Sequence, residues 1–133
     1  MTRKICFSPD GDGAGAALYG VNAKKGMALL GNNAKLYVRL LTSFASKTMY
    51  EDFLDSLDTA DCGVVREKAH ALKGVAANLS LEFIYEMIMA IEMDAKNGIL
   101  ITKDDPRLPV LDETYKKTYA TIQAIIADPS LLG

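Results

Sequence analysis

The sequence predicts an all-α fold, an antiparallel up-down-up-down four-helix bundle with a short extra helix before it. Apolar residues recur at steps of three and four in four separate stretches, and this spacing places them on one face of a helix. No stretch alternates apolar and polar residues as a half-buried strand would. Amphipathic helices joined by short links bury their apolar faces most simply against one another.

The first twenty residues stand outside this pattern. They contain a run of turn-forming residues, with Gly11, Gly13 and Gly15 among them, and they lack helical periodicity. We therefore predict a flexible N-terminal arm at 1–20, followed by a single domain at 21–128. The Met start and the short end after the last helix favour a free-standing small protein.

A short helix is predicted at 21–30 and a long one at about 34–57. Asn22 can cap the short helix with its side chain, and Gly31, followed by two asparagines, ends it. We expect a bend in the long helix around 46–48. The apolar face of the long helix comprises Tyr37, Leu40, Leu41, Phe44, Met49, Phe53, Leu54 and Leu57.

Two further helices follow almost without a gap. Asp61 is a good cap for a helix over about 61–79, and Ser80 then opens the next helix with Glu82 in its first turn. Gly98, after an asparagine, closes that helix. Its buried stripe comprises Phe83, Ile84, Met87, Ile88, Ile91 and Ala95.

The last helix is predicted to begin near a proline, either Pro106 or Pro109, because proline is favoured in the first turn. It ends at Asp128, since Pro129 cannot continue a helix. Its inner side comprises Leu111, Tyr115, Tyr119, Ile122 and Ile126.

The composition argues against several classes of protein. A net charge of −2 and a pI near 5.3 do not suit a nucleic-acid binder. No apolar run is long enough to span a membrane, and the basic start lacks the apolar segment of a secretory signal. One histidine and two distant cysteines, Cys6 and Cys62, do not make a metal site. We expect a cytoplasmic protein with no metal, cofactor, nucleic acid or membrane insertion.

His70 is the only histidine in the chain, and it lies in the middle of the polar face of the 61–79 helix. At about 100° per residue, the apolar residues of this helix fall on the opposite side from the imidazole. The residues that share its face are Arg66, Glu67, Lys73, Gly74, Ala77 and Asn78.

Gly74 needs an explanation, because glycine inside a helix costs about 1 kcal/mol relative to alanine. It lies one turn after His70, where the missing side chain lets another molecule approach the imidazole. Lys73 can offer a positive charge to an anion held on the ring. These three residues make a plausible nucleophilic site for phosphoryl transfer. An incidental surface histidine is the competing interpretation, and it leaves the glycine unexplained.

The stretch His70-Ala71-Leu72-Lys73-Gly74, with Asn78-Leu79 behind it, resembles the signature of histidine-containing phosphotransfer (HPt) domains. Segments 30–37 and 40–44 resemble the entry into the long second helix of that family. The resemblance covers roughly residues 20–127. One departure is Ser80, which stands where the family often has glycine.

The resemblance implies a phosphorelay protein that passes a phosphoryl group between receiver-domain aspartates. His70 would be the phosphoacceptor through Nε2, and Lys73 would stabilise charge on the phosphoryl group. The partners would be receiver domains of response regulators, a hybrid sensor histidine kinase, or both, with the receiver bringing the metal ion. We expect a monomer without ATP-dependent kinase activity of its own, and part of the 34–57 helix beside the docking surface. The partner-binding residues would be Arg66, Glu67, Gly74, Ala77 and Asn78.

Two other functions stay open at this point. The first is a four-helix adaptor that binds a signalling partner without phosphoryl chemistry. The second is a stand-alone hydrolase that uses His70 as a base, although the sequence offers no paired acid or nucleophile for it. A phosphotransfer assay distinguishes both of these functions from that of a phosphorelay protein.

Overall fold

The computed structural model describes residues 18–132, and within that range the chain is helical and contains no strand. The all-α prediction is therefore confirmed. The elements are α1 (Ala23–Ala28), α2 (Ala34–Ala45), α3 (Met49–Ser56), α4 (Cys62–Leu79), α5 (Glu82–Lys96), α6 (Arg107–Ala127) and a final 3-10 turn (Pro129–Leu132).

The arm expected at 1–20 lies outside the described residues except for its last three. Those three are packed against the helices. Leu18 is buried, and Gly20 has a φ of +77° and lies so close to α6 that a Cβ would collide with the Thr118 side chain. The packed part of the chain thus extends at least to residue 18.

The short helix α1 is capped as the sequence predicts, although it spans fewer residues. The Asn22 side-chain oxygen accepts a hydrogen bond from the Lys25 N–H at 3.2 Å. Gly26 faces Tyr37 of α2, where a Cβ would lie only 2.5 Å from the ring. The Tyr37 hydroxyl donates to the Leu79 carbonyl oxygen at 2.7 Å. One buried tyrosine thus joins α1 and α2 to the end of α4.

The single helix predicted at 34–57 is wrong as a continuous element, because α2 ends at Ala45 and α3 begins at Met49. The break lies where a bend was expected. The Ser46 hydroxyl donates to the Ser43 carbonyl oxygen at 2.9 Å, and the Thr48 hydroxyl donates to the Asp52 carboxylate. Serine and threonine side chains that bond locally in this way compete with helix continuation.

Ser80 ends α4 and does not open α5, so that prediction is wrong. It has a φ of +56°, and α5 begins at Glu82. The Leu81 N–H donates to the Ala76 carbonyl oxygen at 2.8 Å, and the Ser80 N–H to the Ala77 carbonyl oxygen at 3.2 Å. This is the Schellman arrangement, in which glycine is the usual left-handed residue.

The helices pack around a shared apolar core. The α4–α5 pair forms a hairpin around Ser80, and α3 also packs on α4. The Tyr50 hydroxyl donates to the Asp112 carboxylate at 3.1 Å, and Tyr119 donates to the Ala45 carbonyl oxygen at 3.2 Å. In these two contacts later residues of α6 meet earlier residues of the α2–α3 segment, so α6 lies antiparallel to α2 and α3. Helix α6 ends before Pro129, as predicted.

Candidate functional site

Helix α4 presents His70 to solvent because its opposite side is anchored in the core. The cap that starts the helix is Asp61, whose carboxylate accepts from the Gly63 N–H at 2.8 Å. The His70 side chain is 71% exposed. The buried residues of α4 are Val65, Ala69, Leu72, Ala76 and Leu79.

A carboxylate from the neighbouring helix holds the imidazole. Glu92 of α5 places Oε2 at 2.7 Å from His70 Nδ1 and Oε1 at 2.6 Å from Lys73 Nζ. An ionised carboxylate only accepts hydrogen bonds, so Nδ1 carries the proton. The other ring nitrogen, Nε2, then has its lone pair available in the neutral ring.

Glu92 stays ionised although only 11% of its side chain is exposed. Burial raises the pKa of its carboxyl, but the hydrogen bonds and charges of Lys73 and His70 outweigh burial, so the pKa lies below its ordinary value. The site therefore contains a permanent, nearly buried negative charge that is shared by two partners.

The position of Glu92 in the helical pattern of α5 already indicates a special role in the sequence. An acidic residue stands inside the apolar side of α5, four residues after Ile88 and one after Ile91. Acidic side chains are rarely buried unless they are paired, so a glutamate at such a position predicts a cationic partner on the facing helix. Which partner it finds depends on how α4 and α5 pack.

Lys73 and Gly74 occupy different parts of the site. Lys73 lies in the groove between α4 and α5, with its side chain only 24% exposed and its ammonium bound to Glu92. Gly74 is exposed, and a Cβ added to it would meet nothing within 4 Å. The packing of this chain therefore does not require a glycine at that position.

The remaining predicted residues lie on the exposed side of α4, at Arg66, Glu67, Ala77 and Asn78. None of them forms an ion pair with the described part of the chain. The structure thus brings His70 and Lys73 together through Glu92 and leaves these four around them. The neighbour that reaches His70 is α5, whereas α3 packs on α4 without a hydrogen bond to the ring.

Other kinds of site receive no support from the described residues. Between residues 18 and 132, no three acidic, histidine or cysteine side chains gather as a metal site would require. Within the same range, no helix is both long and apolar enough to cross a membrane. An open cleft of about 440 Å³ lies between α6 and the α2–α3 segment, and its lining includes Tyr50, Tyr115 and Tyr119. His70 is not part of this cleft.

The chemistry available at the site is that of an exposed nucleophile beside a cation. Nε2 can attack an electrophile delivered from solvent, because no side chain among the described residues encloses it. No family model, curated protein or solved structure matches this chain. The function is accordingly argued from the site and from the motif around His70.

Proposed function

We propose that this protein is a histidine phosphotransfer protein that relays a phosphoryl group between receiver-domain aspartates through a phosphohistidine at His70. One observation carries the proposal: Glu92 binds Nδ1 and so directs the lone pair of an exposed imidazole to Nε2. The nucleophilic nitrogen thus lies on an exposed surface, where a second protein can bring an activated phosphoryl group to it.

Two other residues of the histidine motif, Lys73 and Gly74, fit that chemistry. Lys73 binds the same carboxylate as the ring, and its ammonium would stabilise negative charge on the phosphoryl oxygens. Gly74 leaves the surface beside Lys73 and the ring bare. Glycine destabilises the helix relative to alanine, and no internal packing contact requires it at this position. Clearance for a protein partner accounts for that glycine.

The docking surface in this proposal centres on α4 and extends onto α5. Met89 and Met93 are exposed large apolar residues on α5, and they lie one turn before and one residue after Glu92. Such side chains beside a polar site favour protein association. The α4 residues of the surface are Arg66, Glu67, Gly74, Ala77 and Asn78.

The fold that we propose to support this site is a four-helix bundle. Its four members would be α2 and α3 together, α4, α5 and α6, with α1 across one end. Three antiparallel contacts support this topology: Tyr37 with Leu79, Tyr50 with Asp112, and the α4–α5 hairpin. A bundle leaves the outer face of every helix free for a partner.

The proposal extends to the biochemical setting of the protein. It acts in the cytoplasm as a monomer that carries phosphoryl groups and has no ATP-dependent kinase activity. Its partners are receiver domains of response regulators, a hybrid sensor histidine kinase, or both. Incubation with labelled ATP alone should leave the protein unlabelled, and labelling under those conditions would contradict this part.

The direct test uses a receiver domain phosphorylated on its aspartate. Wild-type protein should become labelled, whereas His70→Gln should not, because the amide has no nucleophilic nitrogen. Gln123→Ala on exposed α6 serves as a control that should label like the wild type. Equal labelling of His70→Gln and wild type rejects the site, and receiver binding without any transfer indicates an adaptor.

A further inference from the structure

We propose that Glu92 is a positioning residue that keeps the Nδ1 proton on the phosphorylated His70 ring and thereby sets the lifetime of the phosphoryl group. This inference rests on the proposed function and deepens it. The proposed function depends on the exposed Nε2, which accepts the phosphoryl group. The inference drawn from Glu92 is about how the phosphoryl group later leaves the ring.

The geometry makes Glu92 a nearly buried, doubly bound partner for an exposed ring. Its carboxylate is nearly buried at the α4–α5 contact, and one oxygen is bound to Lys73 at 2.6 Å while the other lies 2.7 Å from Nδ1. The stem of Glu92 stands among the buried residues of α5, next to Ile88 and Ile91. The contact is a charge-assisted hydrogen bond, which is stronger than a neutral one.

The arrival step balances with the proton on Nδ1. The Nε2 lone pair forms the N–P bond, and the P–O bond to the receiver's aspartate breaks, with its electron pair leaving on the carboxylate. The phosphorylated ring then carries one positive charge, and its Nδ1–H still donates to Glu92. The negative carboxylate compensates the charge that the ring has gained.

The departure step depends on the same proton. When an acceptor carboxylate, or water, attacks phosphorus, the electron pair of the N–P bond returns to Nε2. If Nδ1 still carries its proton, the leaving group is neutral imidazole. If that proton has been lost to water, the leaving group is an imidazolate, which is a far stronger base and a poor leaving group. Glu92 thus keeps the phosphoryl group transferable.

Glu92 is the charged group that reaches the ring among the described residues. Lys73 shares its carboxylate and moderates its effect, and the other nearby charges form no hydrogen bond with the imidazole. The charged groups on the surrounding helices are Arg66, Glu67, Lys68 and Lys73 on α4, Glu82, Glu86, Glu92, Asp94 and Lys96 on α5, Glu51, Asp52 and Asp55 on α3, and Lys35 and Arg39 on α2.

The test uses phosphoramidate as a small chemical donor, which phosphorylates the full chain without a receiver and releases ammonia. The decay of phosphohistidine is then followed by ³¹P NMR across the neutral pH range. Glu92→Gln should lose the phosphoryl group on the order of tenfold more slowly on the alkaline side of this range, because the protonated fraction of a mostly deprotonated ring changes tenfold per pKa unit. At acid pH the phosphohistidine ring is protonated in the wild type and in Glu92→Gln alike, so the decay rates of the two proteins should converge.

Glu86→Gln is the matched control, since Glu86 is an exposed acid on the same helix and forms no ion pair with the described residues. Its phosphohistidine should decay like that of the wild type. Identical pH profiles for Glu92→Gln and wild type would overturn the proposal. A slowing that is uniform across all pH values would also overturn it, since that indicates a structural effect.

A measurement without a variant covers the case in which Glu92→Gln fails to fold. Wild-type phosphohistidine should keep its rapid decay to higher pH than free Nε2-phosphohistidine does, and coincident profiles would contradict the proposal. Failure of receiver transfer would reject the proposed function while leaving these decay profiles interpretable. The two proposals can therefore fail separately.

Discussion

The imidazole of His70 has two unlike sides, one bound to a nearly buried carboxylate and one open to solvent. This asymmetry arises from two residues, because the helix turns the histidine outward and Glu92 selects the ring nitrogen that carries the proton. The same Glu92 carboxylate also binds the Lys73 ammonium, so one negative charge interacts with two hydrogen-bond donors. In a surface histidine without this environment, no hydrogen bond would direct the free lone pair to Nε2.

Gly74 offers a test at the same scale. Gly74→Ala should raise the free energy of unfolding by about 1 kcal/mol, because alanine is the better helix former and its Cβ meets nothing within 4 Å. The rate of phosphoryl transfer from a receiver should fall, because the methyl group occupies the clearance for the partner. Denaturant unfolding and transfer kinetics on the same preparation measure the two effects.

The opposite signs of these effects make the Gly74→Ala variant informative. Ala71→Gly, on the same helix and also exposed, should lose about as much stability and leave the transfer rate unchanged. If Gly74→Ala transfers as fast as the wild type, the glycine does not serve a docked partner.

At the scale of elements, the turn between α4 and α5 sets the position of Glu92 opposite His70. Ser80 takes the left-handed conformation that this turn requires, and its hydroxyl is buried without a hydrogen-bond partner among the described residues. The backbone carbonyl of Ser80 accepts from the Asn22 N–H at 3.0 Å, which ties the turn to the cap of α1.

Ser80→Gly should therefore stabilise the fold by about 1 kcal/mol. Relief of the left-handed strain and removal of the unpaired hydroxyl together exceed the additional backbone entropy that glycine loses. Thermal unfolding measures the change. Ala60→Gly is a matched control, since Ala60 also has a φ of +56° but carries no hydroxyl, and it should be stabilised less. Equal gains would mean that the Ser80 hydroxyl has no cost.

At the scale of the whole molecule, Tyr37 is a buried side chain that joins three helices. Its ring lies against Gly26, and its hydroxyl reaches the last residue of α4. Burial raises the pKa of this phenol well above its ordinary value, so it remains a donor throughout the usual pH range.

Tyr37→Phe should lower the free energy of unfolding by about 1 to 3 kcal/mol, because it leaves the Leu79 carbonyl oxygen without its donor in a buried place. Urea denaturation is the measurement. Tyr85→Phe provides the comparison: Tyr85 is half-buried and has no hydroxyl bond to the described residues, so its loss should be small. Similar losses in both variants would show that the contact with Leu79 contributes nothing.

Much of the helical pattern could be predicted because it depends on neighbours within one or two turns. Asn22 and Asp61 cap their helices, and Gly98 and Pro129 mark helix ends, through bonds or steric effects that span a few residues. The exposure of His70 follows from the same local rule, since the period of the helix places it opposite the apolar residues.

The sequence by itself thus determined an all-α fold, which residues 18–132 adopt, and an outward-facing histidine with a lysine and a glycine beside it. Only the tertiary structure decided that Glu92 binds both His70 and Lys73, that Ser80 is the left-handed end of α4, and that Gly20 packs on Thr118. The physical reason is distance along the chain. Contacts such as 70 with 92 and 20 with 118 depend on how whole helices pack, and no periodicity within one helix encodes that arrangement.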